Sequence, residues 1–417
     1  MKIAVLTSFW EFNSSYSLCS VVESQLKSLV KYGYNPVLLV HDNFVDDDKV
    51  PEGVEIRKVV PRFELVDYSN HQDVKPGFDD QVKKTLDCFN KHLSDIDIVI
   101  EHDMIFQGWF LPYCVAIHEY AKTSKIKWFH WVHSVPNSMP KGLKSPHSLR
   151  YQLPANSKLV YLNNHNIMRA AEAYSVWPKD VRIIYNPVDP RLFWDLDPFV
   201  STLIDKYPIL EADFMQVYPV SSTRMVDGKQ IYIVIDIFAA LKKKGKKVCL
   251  VICNAHANAD KEKETVQKAI DYAIDKGLAR QEIVFTSFEG EQYEQGVDRK
   301  IVSQLFQLSN LFIFPSKSEN CPLILLEAML SKCILILNQS LPPLKEFGRD
   351  NALYFDFGSL DQDVRYDDRD NFMNDMANII ISELSVNKAL KGSNLIKQKF
   401  NYDKVFKEQI EPLFNEQ

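Results

Sequence analysis

Short, nearly unbroken apolar runs alternate with longer amphipathic stretches along almost the whole chain. A half-buried strand alternates apolar and polar positions, whereas an unbroken run marks a strand covered on both faces, as in a parallel sheet. Such runs predict strands at Ile3–Ser8, Pro36–His41, Val54–Val60, Ile96–His102, Lys127–His133, Leu159–Asn163 and Arg182–Tyr185. A second series follows at Met215–Ser221, Val248–Cys253, Ile283–Thr286, Leu311–Phe314, Ile334–Leu337 and Ala352–Phe355. Helical periodicity lies between them, at Val21–Lys31 and Phe78–Leu93, then at Gln230–Lys243, Lys261–Lys276, Arg299–Leu308 and Pro322–Leu330. Alternation of this kind builds doubly wound α/β domains, here two in series.

The break between the two series falls in Asn186–Asp213. There Asn186-Pro187 and Asp189-Pro190 interrupt the pattern, and Pro198 and Pro208 follow. The expected division is a first domain over 1–190, a linker over 191–213, a second domain over 214–400 and an amphipathic helix over 401–417. A chain of 417 residues accommodates two full domains. Its 46% hydrophobic and 25% charged content is that of a soluble globular protein. No apolar run reaches the roughly 18 residues expected of a membrane span. The opening MKIAVLTSFWEF turns polar too soon for a signal peptide and reads as a first buried strand. The seven cysteines are scattered without a CxxC pair, as reduced thiols of a cytoplasmic protein would be. Cys249 and Cys253 share a predicted strand, where packing outweighs a metal site.

A net charge of −6 argues against a general nucleic-acid binder, but the charge is unevenly spread. Residues 1–120 hold 11 basic and 19 acidic side chains, while residues 121–185 hold 10 basic ones against only Glu172 and Asp180. Such a run is most often a solvated face. Its functional alternative is a positive surface for an anionic acceptor or a membrane.

Glycine is scarce, at 13 residues, and neither GxGxxG nor a P-loop occurs. Phosphate binding would have to rely on cations. One constellation, Ser222 to Lys229 (STRMVDGK), follows the first strand of the second series and opens a helix. Arg224 and Lys229, five apart across a turn containing Gly228, suit a diphosphate at a helix start. Another, Phe314 to Gly348, carries Glu319 in a polar loop and Glu327 two turns into an apolar helix. Both constellations lie at the C-terminal ends of strands, where such sheets bind ligands.

In these features the chain resembles the family-4 retaining glycosyltransferases. The E-x7-E element matches Glu319 and Glu327, the Arg-x4-Lys element matches Arg224 and Lys229, and an Asn-x-Val-Asp signature matches Asn186 to Asp189, followed by Phe193. The resemblance implies the GT-B fold: two Rossmann-like domains facing a cleft, the C-terminal helix crossing back to brace the first. It implies a nucleotide-sugar donor, UDP-, GDP- or ADP-linked, and transfer to an acceptor hydroxyl with no metal or other cofactor. Arg224 and Lys229 would neutralise the diphosphate, Glu327 would hold the ribose and Glu319 the transferred sugar. Asn320 and the backbone N–H groups of Cys321 and Leu323 would complete the donor site; Pro322 has no N–H to give. Retention is attributed to front-face attack, with neither glutamate a covalent nucleophile. A family histidine near the donor sugar matches His133, giving a catalytic set of Glu319, His133, Arg224 and Lys229.

The first domain would meet the acceptor. Candidates are His102, Trp131, His133, Lys141, Lys144 and Arg150, while His130 points to the other face of its strand, into the core. The acceptor is a glycan or lipid-linked glycan at a membrane surface, or a hydroxymethylated base of phage DNA. The second option rests on the Lys, Asn, Asp, Ile and Phe usage of an AT-rich genome and on the basic segment. Different readings of the same residues are a nucleotide-sugar 2-epimerase and a non-catalytic nucleotide-sugar-binding protein. The chain departs from the family pattern twice: Trp10-Glu11-Phe12-Asn13-Ser14-Ser15 replaces a glycine pair, and Asn254-Ala255-His256 replaces a glycine-rich turn. Asp361-x-Asp363 and Asp46-Asp47-Asp48 read as solvated loops rather than metal ligands, and Lys242–Lys247 as a dipole-compensating helix end.

Overall fold

A computed structural model describes residues 1–13, 15–64, 66–134, 137–364 and 366–415. Ser14 of the first loop, Val135 and Pro136 after His133, Arg365, and residues 416–417 of the expected terminal helix lie outside the described residues. The chain forms two compact units, Met1–Pro187 with Phe400–Gln417, and Val188–Lys399. Every predicted strand is present, its ends shifted by no more than two residues.

The first unit is a seven-stranded sheet of β1 (Lys2–Leu6), β2 (Asn35–His41), β3 (Glu55–Val60), β4 (Ile98–His102), β5 (Lys127–Val132), β6 (Ser157–Tyr161) and β7 (Val181–Ile183). All pairings are parallel, in the order β3-β2-β1-β4-β5-β6-β7. Alternate residues of each strand feed two cores. Ala4, Leu6, Val99, Trp128 and Leu159 pack with helices Phe78–His92, Leu111–Ala121 and Ile167–Ala173. Ile3, Val5, Ile100, Phe129 and Trp131 pack on the other face with helix Ser17–Lys31 and the terminal segment. That segment returns to this unit as expected. It runs as helix Tyr402–Val405, a π-helical turn Phe406–Ile410 and helix Glu411–Asn415. Phe406 stacks on Tyr32 at 4.5 Å, and Asp403 pairs with Lys31 at 2.8 Å.

The second unit holds β8 (Phe214–Ser221), β9 (Val248–Ala255), β10 (Ile283–Phe285), β11 (Leu311–Phe314), β12 (Ile334–Asn338) and β13 (Leu353–Phe355). They form two parallel three-stranded sheets, β10-β9-β8 and β11-β12-β13. Side chains join them. The buried Gln216 amide accepts from Ile313 N–H at 2.8 Å and donates to Ile313 C=O at 3.0 Å. Asn310 Oδ1 accepts from Met215 N, and Ser309 Oγ from Val217 N, both at 3.0 Å. These three side chains thus do for β8 and β11 what a backbone ladder does elsewhere.

The expected linker 191–213 is not a linker. Asp189 and Asp197 accept from Arg191 N and Phe199 N, and cap helices Pro190–Phe193 and Pro198–Lys206. Each proline sits at the first helical position, where its missing N–H costs nothing. Phe199, Val200, Leu203 and Ile204 are buried in the core of the second unit.

Replacing Gln216 with Met keeps the volume but leaves the N–H and C=O of Ile313 without partners. The expected loss is about 2–4 kcal/mol in urea unfolding. A change under about 0.5 kcal/mol would show that the side-chain bridge is dispensable.

Candidate functional site

In the second unit the strand order reverses between β8 and β11. Sheets of this order bind ligands beside the C-terminal ends of the strands that flank such a reversal. The loops after these strands carry the two constellations and are stitched together. Lys317 N–H donates to Gly228 C=O at 2.9 Å, and the Gln230 amide donates to the carbonyls of Pro315 (2.5 Å) and Phe357 (3.0 Å). Arg224 C=O accepts from the N–H groups of both Gly228 and Lys229, coiling the Arg-to-Lys stretch into a compact turn. A Cβ on Gly228 would stand 3.3 Å from Arg224 O, so a larger residue here would press on the turn by a few tenths of an ångström. Tyr218, at the base, donates its hydroxyl to Lys229 C=O at 2.7 Å.

This stitching brings Lys229 and Glu319, 90 residues apart, into an ion pair. Both side chains are nearly buried, at 12% and 11% exposure. Glu319 also accepts from Ser316 Oγ at 2.7 Å, and the Lys229 ammonium lies 4.9 Å over the Phe314 ring. Arg224 stands exposed on the same turn. Glu327 is the fifth residue of helix Leu323–Leu330, closer to its start than the two turns expected, and pairs with Arg299 at 2.9 Å. Asn320, Cys321 and Leu323 are exposed where that helix begins. Asn338, not anticipated from sequence, fixes the loop from below by donating to Ser316 C=O (2.9 Å) and Gly358 C=O (2.6 Å).

The departures are accommodated locally. His256 adopts φ 57°, the left-handed conformation a glycine would supply, while Asn254 is buried between Ser222 and Ser287. Asp363 is 84% exposed and held by Lys317 at 2.5 Å. Asp46 is more than a solvated turn residue, because it accepts from Phe12 N at 2.6 Å and anchors the first loop.

The first unit reverses its strand order between β1 and β4, and its histidines cluster beside that point. His133 lies 2.8 Å from His102 (Nε2 to Nδ1), and His102 Nε2 lies 3.1 Å from Gln25 Oε1. Because Gln25 Oε1 can only accept, His102 Nε2 carries a proton, and a neutral His102 accepts from His133 Nε2–H. Burial holds His102 well below the usual imidazole range, and burial also lowers His133 against the opposing charge of Asp103. A neutral His133 then presents Nδ1 as an acceptor. Asp103, at φ 58°, accepts from His133 N at 2.8 Å, and burial raises its carboxyl. Gln25 and Asp103 escaped the sequence reading, since neither belongs to a motif.

The other acceptor candidates divide. Lys141 and Lys144 are exposed. Trp131 and Arg150 are corrected: Trp131 is 1% exposed in the sheet core, and Arg150, 4% exposed, donates to Phe106 C=O at 2.7 Å and Tyr68 C=O at 3.3 Å. A tryptophan at an inward strand position packs, and a guanidinium that satisfies buried carbonyls is structural. His130 is buried as expected, against Glu101 at 2.6 Å and Ser157 at 2.9 Å.

Residues 215–362, which contain Arg224, Lys229, Glu319 and Glu327, match the family model described as glycosyl transferases group 1. No curated protein matches. Among solved structures, similar chains include a glycosyltransferase from Rickettsia africae ESF-5 (14% identity, 99% of this chain and 97% of that one, TM-score 0.38). The lipopolysaccharide outer core galactosyltransferase WaaB, in its apo form, aligns at 16% identity over 99% and 100%, TM-score 0.36. HepE of Anabaena in complex with UDP aligns at 14% identity over 100% of both chains, TM-score 0.33.

The buried imidazoles predict acid sensitivity. His102, His133 and His118, the last lowered to about 4 by burial, all titrate below their unfolded values. The unfolded chain therefore binds more protons in acid, and the stability these groups contribute is complete above about pH 6.5 and lost toward pH 4. The urea midpoint should fall between pH 7 and pH 5. In His118→Gln, which keeps a donor for Leu149 C=O, the fall should shrink; an unchanged fall would assign the sensitivity elsewhere.

Proposed function

We propose that this protein is a retaining, metal-independent glycosyltransferase that moves a sugar from a nucleoside-diphosphate donor to an acceptor hydroxyl. The observation that carries this reading is the Lys229–Glu319 pair, with Arg224 on the same turn, at the strand-order reversal of the second unit. The match of this region to glycosyl transferases group 1 supports it. The organisation expected is that of the GT-B enzymes.

When the anomeric carbon–oxygen bond breaks, positive charge develops on the sugar and negative charge on the departing diphosphate. Lys229, held in place by Glu319 and Phe314, and Arg224, free to swing from an exposed position, meet that negative charge. Stabilisation aimed at charge that grows in the transition state accelerates the step. One positioned cation and one mobile one supply what a divalent ion would, so the reading needs no cofactor. The acceptor oxygen bonds to the anomeric carbon on the face the diphosphate leaves, and its proton passes to the departing phosphate. Glu327, in a largely solvent-exposed pair with Arg299 that contributes little, is available to the ribose hydroxyls. The seven cysteines are free thiols, six of them buried, which suits the reducing cytoplasm where we place the enzyme. Among the described residues no helix is long and apolar enough to cross a membrane.

Thermal shift with UDP-, GDP- and ADP-sugars identifies the donor. With that donor, Lys229→Ala and Arg224→Ala should each lower transfer by on the order of 100-fold; near-wild-type activity in either removes the assignment. EDTA should leave the rate unchanged. Loss in EDTA restored by Mn²⁺ would mean that the two cations do not suffice.

A further inference from the structure

The strand-order reversal of the first unit opens into a cavity of about 840 Å³, within the range of small-ligand pockets. Its walls come from the loops after β1, β3 and β4, from His41 at the end of β2 and from the start of helix Ser17–Lys31. Three aromatic side chains line it while remaining solvent-accessible: Trp10 at 48% exposure, Tyr16 at 50% and Trp109 at 40%. Large aromatic surface left wet at a concave site is ready to cover an apolar face of a ligand. The charged groups at the wall are Glu11, Glu64 and Asp103 against one cation, Arg62, whose guanidinium lies 6.0 Å over the Trp10 ring.

We propose that this cavity binds the acceptor as a neutral sugar, its C–H face on Trp10 and Trp109 and its hydroxyls donating to Glu11 and Glu64. The proposal rests on the glycosyltransferase reading and names its acceptor class. Sugars without charge offer both an apolar face and many O–H donors, the complement of rings and carboxylates. A phosphate-bearing ligand fits poorly. Among the described lining residues Arg62 is the only lysine or arginine, and none of the basic side chains of residues 121–185 reaches the wall. Polynucleotides and anionic lipid surfaces are bound through several such cations. A dinucleotide is disfavoured too, because Trp10 and Phe12 occupy the loop where glycines would admit a pyrophosphate. A second cavity of about 280 Å³ shares Tyr16, Leu18, Asp103 and Gln107 with the first and is lined by His133. A hydroxyl at the Asp103 wall therefore comes close to the histidine cluster.

The test is binding of the full chain to an array of neutral and of phosphorylated glycans, to a single-stranded DNA oligonucleotide and to phosphatidylglycerol vesicles, at low and moderate salt. Neutral glycans should bind with little salt dependence, and Trp10→Ala and Trp109→Ala should each weaken that binding by at least about tenfold, within the range found for stacked aromatics. Glu64→Gln should weaken it less. A wild-type urea-unfolding midpoint for the first unit in all three variants shows that they fold, and the thermal shift given by nucleoside diphosphates, which reports the other unit, should persist. The proposal falls if no neutral glycan binds, or if neutral-glycan binding survives in both tryptophan variants. It falls equally if DNA, vesicles or phosphorylated glycans bind in preference with steep salt dependence. Absence of any nucleotide shift in the wild-type chain would instead overturn the glycosyltransferase reading, leaving the glycan result to stand by itself.

Discussion

A parallel sheet wound in two directions must open where the winding reverses, and this molecule is organised around two such openings. Strands β1 and β4 flank the first, β8 and β11 the second. At each, successive crossovers depart to opposite faces, so no helix covers the strand ends. In the second unit the opening reaches the sheet itself, which is held across the gap by Gln216, Ser309 and Asn310. Side chains are less uniform than a backbone ladder, but they lie below the loops that carry Lys229 and Glu319. The gap therefore costs the sheet little order while leaving its rim free for chemistry.

At that rim the charges are arranged unequally. Lys229 is nearly buried, and an unpaired ammonium there would be strongly unfavourable. Glu319 supplies the opposite charge and Ser316 a further hydrogen bond, so the resting site is close to neutral at its base. Arg224 stays in water, where its charge needs no partner. A diphosphate entering the site would meet one cation already positioned and another that can fold over it. Preorganisation of the first reduces the ordering cost at the moment of reaction.

The strands were legible because burial on both faces leaves a run that solvent-facing segments do not imitate; Leu311–Phe314 matches to the residue. Helix Leu111–Ala121 was not, since LPYCVAIHEYA is apolar on most sides and buried along most of its length, so no 3.6-residue stripe stands out. The stretch after Asp189 is ambiguous in sequence because Asp-Pro marks both a chain break and a capped helix start, and only the buried Phe199, Val200 and Leu203 decide between them. In the candidate site the structure brings Lys229 and Glu319 together and leaves Arg224 exposed on the same turn. Gln25, Asp103 and Gln216 were not legible, because each acts through a partner distant in sequence that no local pattern reveals. Trp131 and Arg150 are residue types that often bind ligands, but the first is packed in the sheet core and the second is taken up by buried carbonyls.

The return of residues 400–415 to the first unit bears on how the molecule is made. Val405, Phe406, Ile410, Leu413 and Phe414 fill one face of a sheet whose other residues lie within the first 184 positions. The second unit is inserted into the first, and it is complete in sequence while the first still lacks these side chains. During synthesis the first sheet would emerge with Leu26, Leu29 and Phe129 incompletely covered and stay so until more than two hundred further residues had left the ribosome. The order of folding would thus run against the order of the chain, the inner unit settling before the one that begins it.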